Sequence, residues 1–261
     1  MDYYLEGELN ITEHPGTGNT SMHSHDVYEI YLFLAGKADY LVEGNKYRLR
    51  KGDIMLMRKG ELHINSIRES VTYKRIYVNF EITPLLEASN NLALLDMFDK
   101  RPLGEYNHYR AKDFPENHWQ DFLMAICNAP SKEEKFCYLM PLLHDLSKCH
   151  ARLQKLQAGI EPNLVSEICK YINSDLTRDL SLEQLSEKYY ISKTHLNRLF
   201  KANVGTTVGQ YIKLKRLFYA KELLAQGRHP TEVYSLCGFR DYSTFFRAFK
   251  NQFEKAPAAF R

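Results

Sequence analysis

Ser192-Lys193-Thr194-His195-Leu196-Asn197-Arg198-Leu199-Phe200-Lys201 and Asp241-Tyr242-Ser243-Thr244-Phe245-Phe246-Arg247-Ala248-Phe249-Lys250 are two versions of one segment. At an offset of 49 residues, Leu196 matches Phe245, Arg198 matches Arg247, Phe200 matches Phe249 and Lys201 matches Lys250. Upstream the offset is 48, pairing Leu185 with Val233 and Ile191 with Phe239, so the second copy holds one extra residue in its turn. A single repeated pair indicates duplication of one module rather than a solenoid. Each copy reads as helix, short turn, helix. In the first, Leu182–Tyr189 leads through Tyr190-Ile191 to a helix that Ser192 caps with its hydroxyl. In the second, Pro230 opens a helix, Gly238-Phe239 makes the turn, and Asp241 or Ser243 caps the next helix.

Helix–turn–helix units read DNA with outward residues of their second helix. Helical periodicity turns Leu196, Leu199 and Phe200 inward and leaves Thr194, Asn197 and Arg198 outward. Arg pairs bidentately with guanine and Asn with adenine, so these are base-reading residue types. In the second unit Phe245, Ala248 and Phe249 turn inward. Tyr242, Ser243, Phe246 and Arg247 are left to face DNA, with core packing an equal reading for Phe246. Lys193, Lys201, Lys250 and Arg240 are candidates for phosphate contacts, although a solvated charge is the commoner role for any one of them. Between the units, Val208–Gln226 carries Ile212, Leu214, Leu217, Ala220, Leu223 and Leu224 at helical spacing. Such a rod of about 28 Å is close to the roughly 34 Å between major grooves one helical turn apart.

Across the whole chain, the 261 residues carry a net charge of only +3. That average hides a split. Residues 1–159 hold 19 Lys and Arg against 22 Asp and Glu, a net −3, and residues 160–261 hold 16 against 10, a net +6. The basic half suits nucleic acid. No apolar run approaches membrane-spanning length, the first ten residues lack the features of a secretory signal, and no membrane partner is expected. The five cysteines are widely spaced without a C-x-x-C pair, which points to thiols in a reducing cytoplasm rather than a disulfide framework.

The acidic half begins with strands. Residues 27–34, 38–42, 46–49, 53–57 and 73–80 are short, rich in β-branched and aromatic residues, and punctuated by Gly36, Gly44, Gly52 and Gly60. After Pro84 the spacing turns helical through about residue 156, with a loop near Pro102–Pro115. The Leu139–Leu153 stretch reads equally as packing on the chain's own barrel or as a homodimer surface. The expected architecture is α+β in two domains. A β-barrel (about 1–83) with helices (about 84–156) is followed by a linker at 157–162. An all-α domain at 163–261 then holds helix–turn–helix units at about 180–202 and 229–252.

His23-Ser24-His25-Asp26-Val27-Tyr28-Glu29 is the second stretch with chemistry. On a strand, His23, His25 and Glu29 share one face, and His63 comes after Gly52 and Gly60. Three His and one Glu are common ligands for a divalent metal. The same groups can instead form a metal-free pocket that hydrogen-bonds a small molecule. Tyr31 is assigned to that site, and His14, Tyr28, Tyr40, Arg48 and Glu61 are further lining candidates. No cofactor is required, and a divalent metal is the alternative.

Both halves resemble known families. The tail resembles the DNA-binding domain of AraC/XylS regulators through Leu180-Ser181-Leu182-Glu183-Gln184-Leu185-Ser186, Ser192, Leu196, Arg198-Leu199-Phe200-Lys201, Gly205, Tyr211-Ile212, Arg216-Leu217, Ala220-Lys221-Glu222-Leu223-Leu224, Gly238-Phe239-Arg240-Asp241, Phe245, Arg247, Phe249-Lys250, Pro257 and Phe260-Arg261. It departs where Tyr234 replaces the usual Ala and where Tyr190 and Glu254 replace usual glycines. The first half resembles a cupin barrel, with His23, His25, Glu29 and Gly36 completing the first motif and Gly52, Gly60 and His63 the second, while Arg58 replaces its proline and Ile67 its asparagine. These resemblances imply a cytoplasmic, non-enzymatic transcription regulator. It would bind double-stranded promoter DNA and a small-molecule effector such as a sugar, and act as a homodimer, with RNA polymerase as a further candidate partner. The rival reading is a metal-dependent cupin enzyme fused to a DNA-binding tail. A weaker third reading is a constitutive DNA binder whose barrel serves only to dimerise it.

Overall fold

The computed structural model describes residues 3–19, 21–157 and 163–261. It divides into two units, Met1–Glu161 and Pro162–Arg261. The expected linker at 157–162 lies outside the described residues except for Gln157, which is the last residue of a helix.

The first unit contains strands β1 (Tyr4–Thr12), β2 (Gly18–Asn19), β3 (Tyr28–Ala35), β4 (Ala38–Val42), β5 (Asn45–Arg48), β6 (Ile54–Met57), β7 (His63–Ile67), β8 (Tyr73–Glu81) and β9 (His108–Tyr109). They form two antiparallel sheets, ordered β1-β8-β3-β6-β9 and β2-β7-β4-β5. Strand alternation sorts the core. From β3 and β6, Tyr31, Phe33, Met55 and Met57 face the second sheet and pack with Tyr40, Val42 and Tyr73. The intervening Ile30, Leu32, Leu34, Ile54 and Leu56 face the other way, against helices. A sheet covered on both sides explains why β3 is buried along nearly its whole length and reads as an apolar run from Ile30 to Ala35 rather than as alternation.

Those helices are α1 (Thr83–Ala88), α2 (Asp96–Asp99), α3 (Trp119–Asn128) and α4 (Lys132–Gln157). On α4, Leu139, Leu142, Leu143, Leu146 and Leu153 are buried in the same core as the sheet residues. Of the two equal readings of this stripe, packing on the chain's own barrel is the one these buried leucines follow. Four strands escape the expectation, the shortest of them the two-residue β2, which pairs with β7. The β1 strand is edge-paired along its whole length to β8 from Tyr4 opposite Glu81 to Thr12 opposite Tyr73, but its charged residues obscure the pattern. The β7 strand carries His63 and pairs with β4, and β9 lies inside the expected 102–115 loop.

The second unit is helical: α5 (Leu164–Ser174), α6 (Leu182–Lys188), α7 (Lys193–Asn203), α8 (Val208–Ala225), α9 (Pro230–Leu236), α10 (Tyr242–Phe253) and a short 3₁₀ turn at Pro257–Phe260. Side-chain oxygens of Ser181, Ser192, Thr207 and Asp241 accept from the backbone N–H of Gln184, His195, Gln210 and Thr244, so Asp241 rather than Ser243 caps α10. The α8 helix joins both modules. Its Tyr211 meets Phe200 of α7 at 5.8 Å between ring centres, and its Leu217, Ala220 and Leu224 pack with Val233, Phe245 and Phe249. Gly238 has φ +78°, and a Cβ there would sit 2.4 Å from the Leu176 carbonyl oxygen.

Tyr190 and Glu254, the two residues that depart from the resembled pattern of glycine, both adopt the left-handed conformation, with φ of 53° and 59°. The Tyr190 ring is 96% exposed and gains nothing from packing. Glu254→Gly and Tyr190→Gly should each raise the stability of the second unit by about 0.5–1 kcal/mol, because glycine occupies this region without the Cβ penalty. Thermal unfolding of the variants measures it.

Candidate functional site

On α7, Thr194, His195, Arg198 and Lys201 are exposed on the helix surface. Asn197 is half-buried and its Oδ1 accepts from the Val208 N–H at 3.3 Å, which ties α7 to the start of α8. Lys193 is exposed and pairs with Glu183 of α6 on the surface. On α10, Tyr242, Ser243, Thr244, Arg247 and Lys250 are exposed, and Phe246 is half-buried. Its ring lies 6.0 Å from that of Tyr242. At the 49-residue offset the two helices repeat their exposure. Thr194 and Ser243 are open, Asn197 and Phe246 are half-buried, and Arg198 and Arg247 are open. Asn197 and Phe246 thus form the shoulder of each helix, and the arginines stand clear. His195 and Thr244, equivalent and exposed in the first helical turn, were not singled out from the sequence, which favoured residue types with known base partners. Arg240 is exposed just before α10.

In the first unit, His23, His25, Glu29 and His63 converge, their candidate ligand atoms all lying within 4.8 Å of one another. Strand parity is not what assembles them. His23 and His25 precede β3 on an irregular segment, and a two-hydrogen-bond backbone bridge between His23 and His63 carries them across to β7. The His63 Nδ1 lies 2.7 Å from the Glu61 carbonyl oxygen, and the His23 Nδ1 lies 2.8 Å from the Ser21 carbonyl oxygen. A carbonyl only accepts, so each Nδ1 carries a proton and each Nε2 is directed to the cluster. Glu29 Oε2 lies 2.8 Å from the His25 Nε2 and 3.6 Å from the His63 Nε2, and Tyr40 donates to Glu29 Oε1 at 3.3 Å.

Charge follows this geometry. Burial, with the neighbouring His63 and His25, pushes His23 down to about 4, so it is neutral near pH 7. Burial opposes ionisation of Glu29, but hydrogen bonds from His25 and His63 and their charge hold its carboxyl well below the usual range. Burial likewise opposes charging of His63, and Glu29 outweighs it, so His63 is raised. The buried Nε2 of His63 has Glu29 Oε2 as its nearest polar partner, a long contact at 3.6 Å that leaves it without a close hydrogen bond among the described residues. Three imidazoles and a carboxylate whose ligand atoms all lie within 4.8 Å of one another are a donor set that fits a divalent cation.

Residues 11–160 match the family model described as an AraC-like ligand binding domain, and residues 185–261 match a helix-turn-helix domain model. The chain belongs to the AraC family of transcription regulators. As such it is a regulator and not an enzyme. Among curated relatives, it is 25% identical over 254 residues to the HTH-type transcriptional regulator YfiF of Bacillus subtilis, covering 93% of this chain and 79% of that one. It is 22% identical over 280 aligned positions to the HTH-type transcriptional activator RhaS of Citrobacter koseri, covering 100% and 95%. Among solved structures, ToxT of Vibrio cholerae O395, bound to a methylnaphthalenyl butenoic acid, is 14% identical, with a TM-score of 0.42 over 98% of this chain and 97% of that one.

Within the AraC-like ligand binding domain, the expected lining residues divide. Tyr31 and Tyr40 face the barrel interior, where Tyr31 bonds the Tyr73 hydroxyl and Tyr73 donates to Asn65 Oδ1 at 3.2 Å. Tyr28 faces the opposite side of β3 and donates to Asp99 at 2.8 Å. His14 and Arg48 are exposed. Glu61 is buried and acts one step removed from the cluster. Its carboxylate accepts from Arg101 at 2.6 and 2.8 Å, from the Gly104 N–H at 2.9 Å and from Asn107 at 2.9 Å, while its carbonyl orients His63. Arg101 and Asn107 have no local signal in the sequence, being 40 and 46 residues from Glu61. No helix among the described residues is long and apolar enough to cross a membrane, and all five cysteines are free thiols.

Proposed function

We propose that this AraC-family regulator reads promoter DNA in the cytoplasm with α7 and α10 in adjacent major grooves, and that its barrel takes a small polyhydroxylated effector, such as a sugar, at a divalent metal held by His23, His25, Glu29 and His63. The observation that carries the sensor half is the convergence of the His23, His25, Glu29 and His63 ligand atoms within 4.8 Å of one another. It favours the metal over the metal-free pocket, because four separate ligand groups, three of them imidazoles, are brought to one point rather than spread along a pocket wall. A bound metal supplies a Lewis-acidic centre for effector oxygens. The chain's own groups do the rest. The carbonyls of Ser21 and Glu61 fix the imidazole tautomers, Glu29 supplies negative charge, and the hydroxyls of Tyr31, Tyr40 and Tyr73 offer hydrogen bonds along the barrel interior. Effector then acts on DNA binding only through a difference in its affinity for two arrangements of the protein. Self-association, expected of a homodimer, has to use a surface other than the buried stripe of α4.

Metal analysis of the purified full chain tests the sensor half. About one divalent ion per chain is expected, and His63→Ala should remove it with a loss of at least about tenfold in affinity. Binding should weaken as pH falls, because protons compete for the same nitrogens. A wild-type protein that neither retains nor takes up zinc, manganese or iron would return the site to the metal-free reading.

A further inference from the structure

The strand β5 and the turn after it run Lys46-Tyr47-Arg48-Leu49-Arg50-Lys51. Alternation turns Tyr47 and Leu49 inward, the Tyr47 hydroxyl donating to the Gly104 carbonyl at 2.5 Å, and leaves Lys46, Arg48 and Arg50 exposed on the outer side. The segment around β9 brings Arg110 and Lys112 to the same place, and together they line a cavity of about 250 Å³. The framework beneath it is built. Asp53 is buried and accepts from the Arg50 N–H at 2.9 Å, from His108 Nε2 at 2.8 Å and from the Ala111 N–H at 3.0 Å. One carboxylate thereby clamps the turn that carries Arg50 to the segment that carries Arg110 and Lys112, and it is consumed in doing so.

The charge around the cavity is not balanced internally. Lys46 pairs with Asp39 and Arg110 with Asp113. Arg48, Arg50 and Lys112 have no carboxylate within 4.0 Å among the described residues, in a half of the chain whose net charge is negative. Held in a concavity on a rigid frame, such cations focus potential on an anion rather than disperse it. We propose that this cavity is a phosphate site for a small phosphorylated metabolite, with the guanidinium groups of Arg48 and Arg50 as its main ligands. Arginine forks match phosphate oxygens in pairs. The cavity is below the usual size for a whole ligand, roughly 300–1,000 Å³, and suits a head group. A neighbouring cavity of about 590 Å³ shares Arg48 and Arg50 and offers room for the remainder of the molecule. None of these residues belongs to the His23–His63 cluster, so the proposal does not depend on the metal.

The test is calorimetric titration and thermal unfolding of the full chain and its Arg48→Gln/Arg50→Gln double variant with inorganic phosphate, glucose 6-phosphate and glucose. EDTA is present so that phosphate cannot report on a metal. Both phosphates should bind and stabilise the wild type, and glucose should not. The double variant should keep its unliganded melting temperature, since both side chains are exposed, and lose about tenfold or more in affinity. Tighter binding of glucose 6-phosphate than of phosphate marks a metabolite as the source, and equal binding marks the free ion. The proposal is overturned if neither phosphate binds, if the variant is stabilised as much as the wild type, or if the variant binds operator DNA more weakly without phosphate. That last result would make the arginines DNA-backbone contacts.

Discussion

Arg101→Ala should destabilise the first unit by about 3–5 kcal/mol, the range for removing one partner of a buried ion pair. Both side chains of the Arg101–Glu61 pair are fully buried. The guanidinium also donates to the carbonyls of Met97, Glu105 and Leu56 and to Asn107 Oδ1, so the substitution strands a carboxylate and several acceptors together. Denaturant unfolding measures the loss. Replacing both partners by methionine should cost much less, because no charge is then left unpaired. The same network predicts a pH dependence. Burial opposes ionisation of Glu61, but Arg101 holds it down to about 2 against an ordinary 4.5. Stability from this carboxylate is complete above pH 4.5 and is lost as pH falls towards 2, since the unfolded chain takes up the proton first. The Arg101→Ala variant should lack that acid limb. It should also hold metal less well, because the Glu61 carbonyl orients His63.

The second large effect is expected on DNA. Arg198→Ala and Arg247→Ala should each cost about 1–3 kcal/mol of operator binding and relax preference at one base pair. These are the equivalent, fully outward arginines of the two modules. Because they stand on separate helices with no shared partner, their costs should add in the double variant. Lys201→Ala should instead weaken all sequences alike and flatten the salt dependence. Asn197→Ala should show a different signature, a lower melting temperature of the second unit, because its Oδ1 is committed to the Val208 N–H. Gel shifts against operator and scrambled DNA, with melting curves, separate the three behaviours.

The second unit was legible almost residue by residue, and the reason is local. Its caps, turns and apolar stripes act over three or four positions, so Ser192, Gly238 and the Leu196–Phe200 stripe state the structure where they stand. What escaped were further tertiary contacts of polar groups: the Asn197 Oδ1 accepting from the start of α8, and Lys193 pairing with Glu183. The barrel was less legible. Strands β3 and β6 announce themselves by apolar content, whereas β1 is an edge strand written in charged residues and β7 was hidden behind its polar His63 and Asn65. The four residues of the metal-type cluster were named from their spacing, but the backbone bridge that joins His23 to His63, and the buried Arg101 that steadies Glu61, are long-range facts that no periodicity encodes.

The central claim is that two equivalent recognition helices of one chain read adjacent turns of DNA. Methylation interference on an operator selected from random sequence by the full-length protein tests it most directly. Two patches of major-groove interference about 10 base pairs apart are expected, with Arg198→Ala erasing one patch and Arg247→Ala the other. A single patch unaffected by one of the two substitutions, or binding without sequence preference, would contradict it.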